Sequence, residues 1–165
     1  SSPITVGDGP TSVAVDSLSS KAFVTNRNTN TISFINTDAN ALFDIDTVTG
    51  EVQSTKSLSG NPFGIGFASD MMSGKDLLIV SHSPDKVSIF DITTITSITE
   101  IATLPVGSAP KAVGIDEAFA LAHVAVSGID SLAVIDILQH ITSGGTINAF
   151  LSDLFLAPVQ AGQQT

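Results

Sequence analysis

The chain has 165 residues with 6 Lys plus Arg against 16 Asp plus Glu, a formal net charge of -10, which leaves no basic footprint for a nucleic-acid backbone. Cysteine is absent, so disulfides, thiolate nucleophiles, zinc-thiolate sites and covalently attached c-type haem are excluded, and any metal would need His and carboxylate ligands. With 42% hydrophobic and 13% charged residues the chain is expected to pack as one soluble domain, since no apolar run reaches the roughly 18 residues of a membrane span.

In chain order the sequence repeats itself three times. The first unit, about residues 7–58, runs Gly7-Asp8-Gly9-Pro10, Ser12 to Asp16, Ala22 to Asn26 and Thr31 to Asn36, with an outer strand over Val52 to Leu58. The second, about 60–106, runs Gly60-Asn61-Pro62, Gly64 to Phe67, Leu77 to His82 and Lys86 to Asp91, with an outer strand over Ile98 to Val106. The third, about 107–145, runs Gly107 to Pro110, Ala112 to Asp116, Ala122 to Val126 and Ser131 to Asp136. Pro10 and Pro62 lie 52 residues apart, and Pro62 and Pro110 lie 48 apart. Short Val-, Ile- and Phe-rich segments punctuated by Gly, Pro, Asn and Asp at that period are the signature of antiparallel propeller blades. The longer first period places a loop insertion near Asp38 to Phe43.

The tail, 146–165, behaves differently. Ile147, Phe150, Leu151, Leu154 and Phe155 share one helical face, so a short helix ending before Pro158 is expected, with an outer strand over Thr146 to Phe150 as the competing assignment. The expected fold is therefore all-β, a single partial propeller of about three four-stranded antiparallel blades with a short C-terminal helix. If the helix forms, Ile4 to Val6 would be a free strand able to pair end to end with the third blade.

Ile4-Thr5-Val6-Gly7-Asp8-Gly9-Pro10, followed by Val13-Ala14-Val15 and Phe23-Val24-Thr25-Asn26, resembles the repeat of the YVTN family of β-propellers, with Phe23 in the tyrosine position. The later copies depart further, reading Leu78-Ile79-Val80-Ser81-His82 and Ala122-His123-Val124-Ala125-Val126. The resemblance covers about Ile4 to Ile137. It implies a propeller but not one activity, because the family spans surface proteins, lactonase-like enzymes and propellers attached to redox enzymes.

Propellers close with 4 to 8 blades, and three cannot close alone. Open terminal blades would present unpaired edges and apolar faces, so the expected partner is further protein completing the ring. A symmetric pair giving six blades is one geometric option.

Propeller topology gathers the turns entering each inner strand and the turns between second and third strands on one face. That face is expected to hold Asp8, Arg27, Asn28, Asn30, Asn61, His82, Asp85, Lys86, Lys111 and Asp130. Asn and Asp also favour turns for backbone reasons alone, which is the plainer reading of each. His82 could ligate copper or act as a base near neutral pH. His123 reads as a core or blade-interface residue and His140 belongs to the opposite face, so no metal site and no cofactor is assigned. Asp44, Asp46 and Glu51 do not match a calcium loop, and no nucleophile elbow, phosphate loop or dinucleotide fingerprint occurs.

The leading expectation is a non-catalytic scaffold or protein-interaction module. The alternative is part of a propeller enzyme, redox-linked or lactonase-like, whose site other blades complete. A β-sandwich adhesion module is a third architecture, without radial units. The Lys-poor, acidic, Ser- and Thr-rich surface points to an extracytoplasmic location, and a chain beginning at Ser1 without a leader-like segment is expected to be trimmed or matured.

Overall fold

A computed structural model describes residues 3–39, 41–42, 55–70 and 74–138. Twelve strands follow in order: β1 Pro10–Asp16, β2 Lys21–Asn26, β3 Thr31–Asn36, β4 Ala41–Leu42, β5 Thr55–Ser57, β6 Pro62–Asp70, β7 Lys75–His82, β8 Lys86–Asp91, β9 Thr99–Pro105, β10 Pro110–Asp116, β11 Leu121–Val126 and β12 Ser131–Asp136. They form three antiparallel meanders, β1-β2-β3 with β4 and β5 on its outer edge, β6-β7-β8-β9, and β10-β11-β12. Sheet-to-sheet contact is concentrated at the inner strands, where β6 lies against both β1 and β10. The radial arrangement of blades expected from the repeats is present, and three separate sheets replace the two of a sandwich.

Register explains the layering. In β7 the run Leu77-Leu78-Ile79-Val80 is wholly buried because both of its faces are covered. Leu78 and Val80 join Phe23, Ile32, Phe34 and Phe90 between the first and middle blades. Leu77 and Ile79 join Val87, Ile89, Val124 and Ile135 between the middle and third. Phe23 makes an edge contact with Phe34 and stacks on Phe67 across the blade boundary, at centroid distances of 5.5 and 5.9 Å. Inner strands approach closely where side chains are absent. A Cβ at Gly66 would stand 2.6 Å from Ile115 Cγ1.

Turns at the far ends of the strands are closed by the strand-terminal acids and amides. Asp16 Oδ1 accepts from the Leu18 and Ser19 N–H groups, Asp116 Oδ1 from Ala118 and Phe119, and Asn36 Oδ1 from Asp38 and Ala39, all at 3.0 to 3.3 Å. These are Asx turns, in which the side chain replaces a backbone acceptor.

One expectation needs correction. The first blade's outer edge is split, with β5 pairing Thr31 to Ser33 and β4 pairing Ile35 and Asn36. Part of the insertion near Asp38 to Phe43 is thus a strand rather than loop, because Ile35 and Asn36 would otherwise have unpaired edge groups. The third sheet has three strands among the described residues. The C-terminal helix, the alternative strand over Thr146 to Phe150, and His140 fall outside the described residues. Ile4 to Val6 are in no strand. Among the described residues no helix is long and apolar enough to cross a membrane.

Candidate functional site

The entering turns and the second-to-third-strand turns meet on one face through a repeated backbone pattern. Arg27 and Asn28 N–H donate to the Gly9 and Asp8 carbonyls, Ser83 N–H to Asn61, and Ser127 and Gly128 N–H to Ala109 and Ser108, at 2.8 to 3.1 Å. Each turn tethers its neighbour, so the face is rigidly framed.

Side chains extend this frame in the first two blades. Asn28 Nδ2 donates to Asp8 Oδ2 at 3.1 Å. Asn61 Nδ2 bridges blades by donating to the Arg27 carbonyl at 3.0 Å and to Asn30 Oδ1 at 2.7 Å. Asn30 and Asp130 occupy equivalent turn positions with φ of 55° and 50°, a left-handed conformation that Asn and Asp tolerate better than most residues. Their presence is therefore accounted for by the turn itself. Asp85 has a buried Oδ1 without a hydrogen-bond partner.

Two residues from the outer blades converge on one ring of the middle blade. Arg27 Cζ lies 4.9 Å from the Phe63 ring centroid and Lys111 Nζ lies 3.6 Å from it, both within cation–π range. Their backbones are pinned. Thr11 and Thr25 hydroxyls donate to the Phe63 carbonyl at 3.1 and 3.0 Å, and Ser81 Oγ donates to the Lys111 carbonyl at 2.5 Å. Sequence reasoning named both cations and missed Phe63. The available signal was register, since Thr11, Phe63 and Lys111 each follow the proline that opens an inner strand.

His82, expected among the turn-face residues, lies beneath that face and is 1% exposed. Its Nε2 is 2.8 Å from Ser88 Oγ, which lies 2.6 Å from Glu100 Oε1. The direction of the Nε2–Ser88 hydrogen bond follows the ring tautomer. Nδ1 is buried without a hydrogen-bond partner, close under Gly60, where an added Cβ would come within 3.1 Å of it. Burial pushes the His82 pKa below 6.5, against the opposing pull of Glu100, so the ring is neutral at physiological pH. Asn26 occupies the same register in the first blade and donates to Ser33 Oγ at 2.8 Å. The third blade has Val126 and Ala133 there, both buried. One buried pair thus recurs in every blade, polar twice and apolar once, which gives His82 a packing role. Ser88 and Glu100 were not legible, because their partnership spans two strands. His123 is half-buried beside Gly114 and Val134 on the outer flank of the third blade. Among the described residues, no group of three or more His, Asp or Glu is placed to hold a metal ion.

The chain is similar in structure to the Kuenenia stuttgartiensis hydrazine synthase, at a TM-score of 0.62 and 22% identity, over 85% of this chain and 36% of that one. It is also similar to a putative 6-phosphogluconolactonase from Bacteroides fragilis, at a TM-score of 0.57 and 19% identity, over 78% of this chain and 35% of that one. At such identities the likeness shows the fold alone, a propeller, and the chain spans about a third of the length of each. No protein-family model matches the chain, and no curated protein matches its sequence.

Proposed function

We propose that these residues are three consecutive blades of a larger YVTN-like propeller, acting as an extracytoplasmic scaffold that presents its turn face and takes further blades on both flanks. One observation carries this reading. Ile65 in the middle blade is 4% exposed, whereas Val13, at the same register of the first blade, is 59% exposed. The third blade's flank is open in the same way, since a Cβ at Gly114 would meet nothing within 4 Å while its equivalent Gly66 is filled by the next blade. The burial of His82 and its fixed hydrogen bond to Ser88 support a structural role for the residue best suited to catalysis.

Polypeptide outside the described residues covers these flanks in this reading, and a second copy of the chain would supply it, bringing the count to six blades. The test is association. Val13→Asp with Val15→Asp is expected to reduce assembly by native mass measurement while leaving the strand signal in circular dichroism unchanged. A wild-type chain that stays monomeric, with no more hydrophobic-dye binding than an ordinary globular domain, would sink the reading.

A second reading, part of an enzyme completed by other blades, draws support from the enzyme names of both similar structures and from the cations gathered on the turn face. Metal analysis of the purified protein with and without His82→Ala separates the two. Stoichiometric copper or iron lost on substitution favours a redox-linked enzyme, and no metal in either protein favours the scaffold.

A further inference from the structure

We propose that Arg27, Phe63 and Lys111 form a receptor for an oxyanion, the carboxylate or phosphate of a small organic ligand, on the turn face beside the inner strands. The two cations lie 4.9 and 3.6 Å from a single ring centroid, so they are at most 8.5 Å apart. Arg27 and Lys111 reach Phe63 from the blades on either side of it, so one oxyanion would seat at the ring edge and accept from each cation through a different oxygen. Arg27 supplies a planar fork suited to two oxygens, and Lys111 a compact point charge.

Among the described residues neither cation has an acidic partner. The ion pairs among the described residues join Lys21 to Asp16 and Asp76, and Lys75 to Asp91, and Lys56 donates to the Ile98 carbonyl. In a chain with 16 Asp plus Glu and only 6 Lys plus Arg, two of the cations meet at one neutral ring, on a face that also carries Asp8, Asp85 and Asp130. A ring face holds a cation without using up its N–H donors, so both remain available to a ligand. Both side chains are exposed, while their backbones are fixed by the Gly9, Asn61 and Ser81 contacts. The cations are thus positioned before any anion arrives, which reduces the ordering cost of binding. All three residues lie within the described blades, so the receptor does not depend on what covers the flanks.

Titration of the purified protein with inorganic phosphate, and separately with succinate, would be followed by NMR shifts of the Arg27, Phe63 and Lys111 amides and the Arg27 guanidinium. Saturable shifts confined to these groups are expected with at least one probe. A response to phosphate identifies a phosphorylated ligand class, and a response to succinate a carboxylate class. Arg27→Gln and Lys111→Met are each expected to weaken binding at least about fivefold at low salt. Phe63→Leu, which keeps the apolar bulk but removes the ring, is expected to weaken it as well. Lys86→Met, an exposed cation on the same face away from Phe63, is expected to leave it unchanged. Absence of saturation with both probes, or an equal loss in Lys86→Met, would overturn the proposal. Neither result bears on flank association, which is read by mass.

Discussion

Ile65 and Val13 are β-branched residues at one register of adjacent inner strands, yet the first is sealed and the second lies open. The middle blade is covered on both sides, by Phe23 and Phe34 on one and by Val124 and Ile135 on the other. Among the described residues each outer blade is covered on one side only. A blade therefore does not bury its own residues, since its sheet has two apolar faces and supplies neither cover. Exposed Val13, Val15 and Leu132 are ordinary blade residues whose neighbour is missing from the described set, not surface residues in themselves.

The sharpest way to break this contrast is to truncate one apolar side chain on a covered face and one on an open face. Leu78→Ala in the middle blade is expected to cost about 2–5 kcal/mol in chemical denaturation, while Val15→Ala on the open flank should stay within about 0.5 kcal/mol. Equal costs would mean that the flank is covered after all. The glycine pair refines the test. Gly66→Ala drives a methyl into Ile115 and Val113 and should lower stability by about 1–3 kcal/mol, whereas Gly114→Ala enters open space and should leave the melting temperature nearly unchanged.

His82 compares the middle blade with the first. His82→Ala strands Ser88 and is expected to cost about 1–3 kcal/mol, and His82→Asn, which imports the Asn26 arrangement, should cost less. Because the folded state lowers the His82 pKa, the unfolded chain binds more protons. Stability should therefore fall as pH drops below 6.5 and level off beneath the folded value, a dependence that His82→Asn should lack when melts are run across that window. The smallest effect is expected at Lys75, whose ammonium meets Asp91 Oδ2 at 2.6 Å with the lysine side chain 37% exposed. Partial burial works against ionisation of Asp91, but the hydrogen bonds from Lys75 and Thr93 together hold its pKa below 3.8. Lys75→Met should cost at most about 1 kcal/mol near neutral pH. The difference from wild type should shrink as pH falls through the folded pKa of Asp91.

The repeats were legible because strand alternation and turn chemistry are local. Even the doubly covered β7 is visible as the uninterrupted Leu77-Leu78-Ile79-Val80 run, whereas β11 carries His123 among its apolar residues. The turn face was legible as a set, since topology alone carries Asp8, Arg27, Asn61 and Lys111 to one side. Phe63 was not, because an aromatic residue next to Pro62 reads as core until cations from two other blades are seen over it. His82 was misplaced towards solvent because its cover, Gly60, comes from a turn 22 residues earlier in the chain.

Composition, period and punctuation by themselves determined that the chain makes meandering blades and carries no thiol, because these depend on residue type and on spacings within a single strand or turn. Only the tertiary structure decided which of two equally apolar faces is covered, and which cations share a ring. Burial and cation–π contact are properties of pairs drawn from different blades, and no single repeat contains both members.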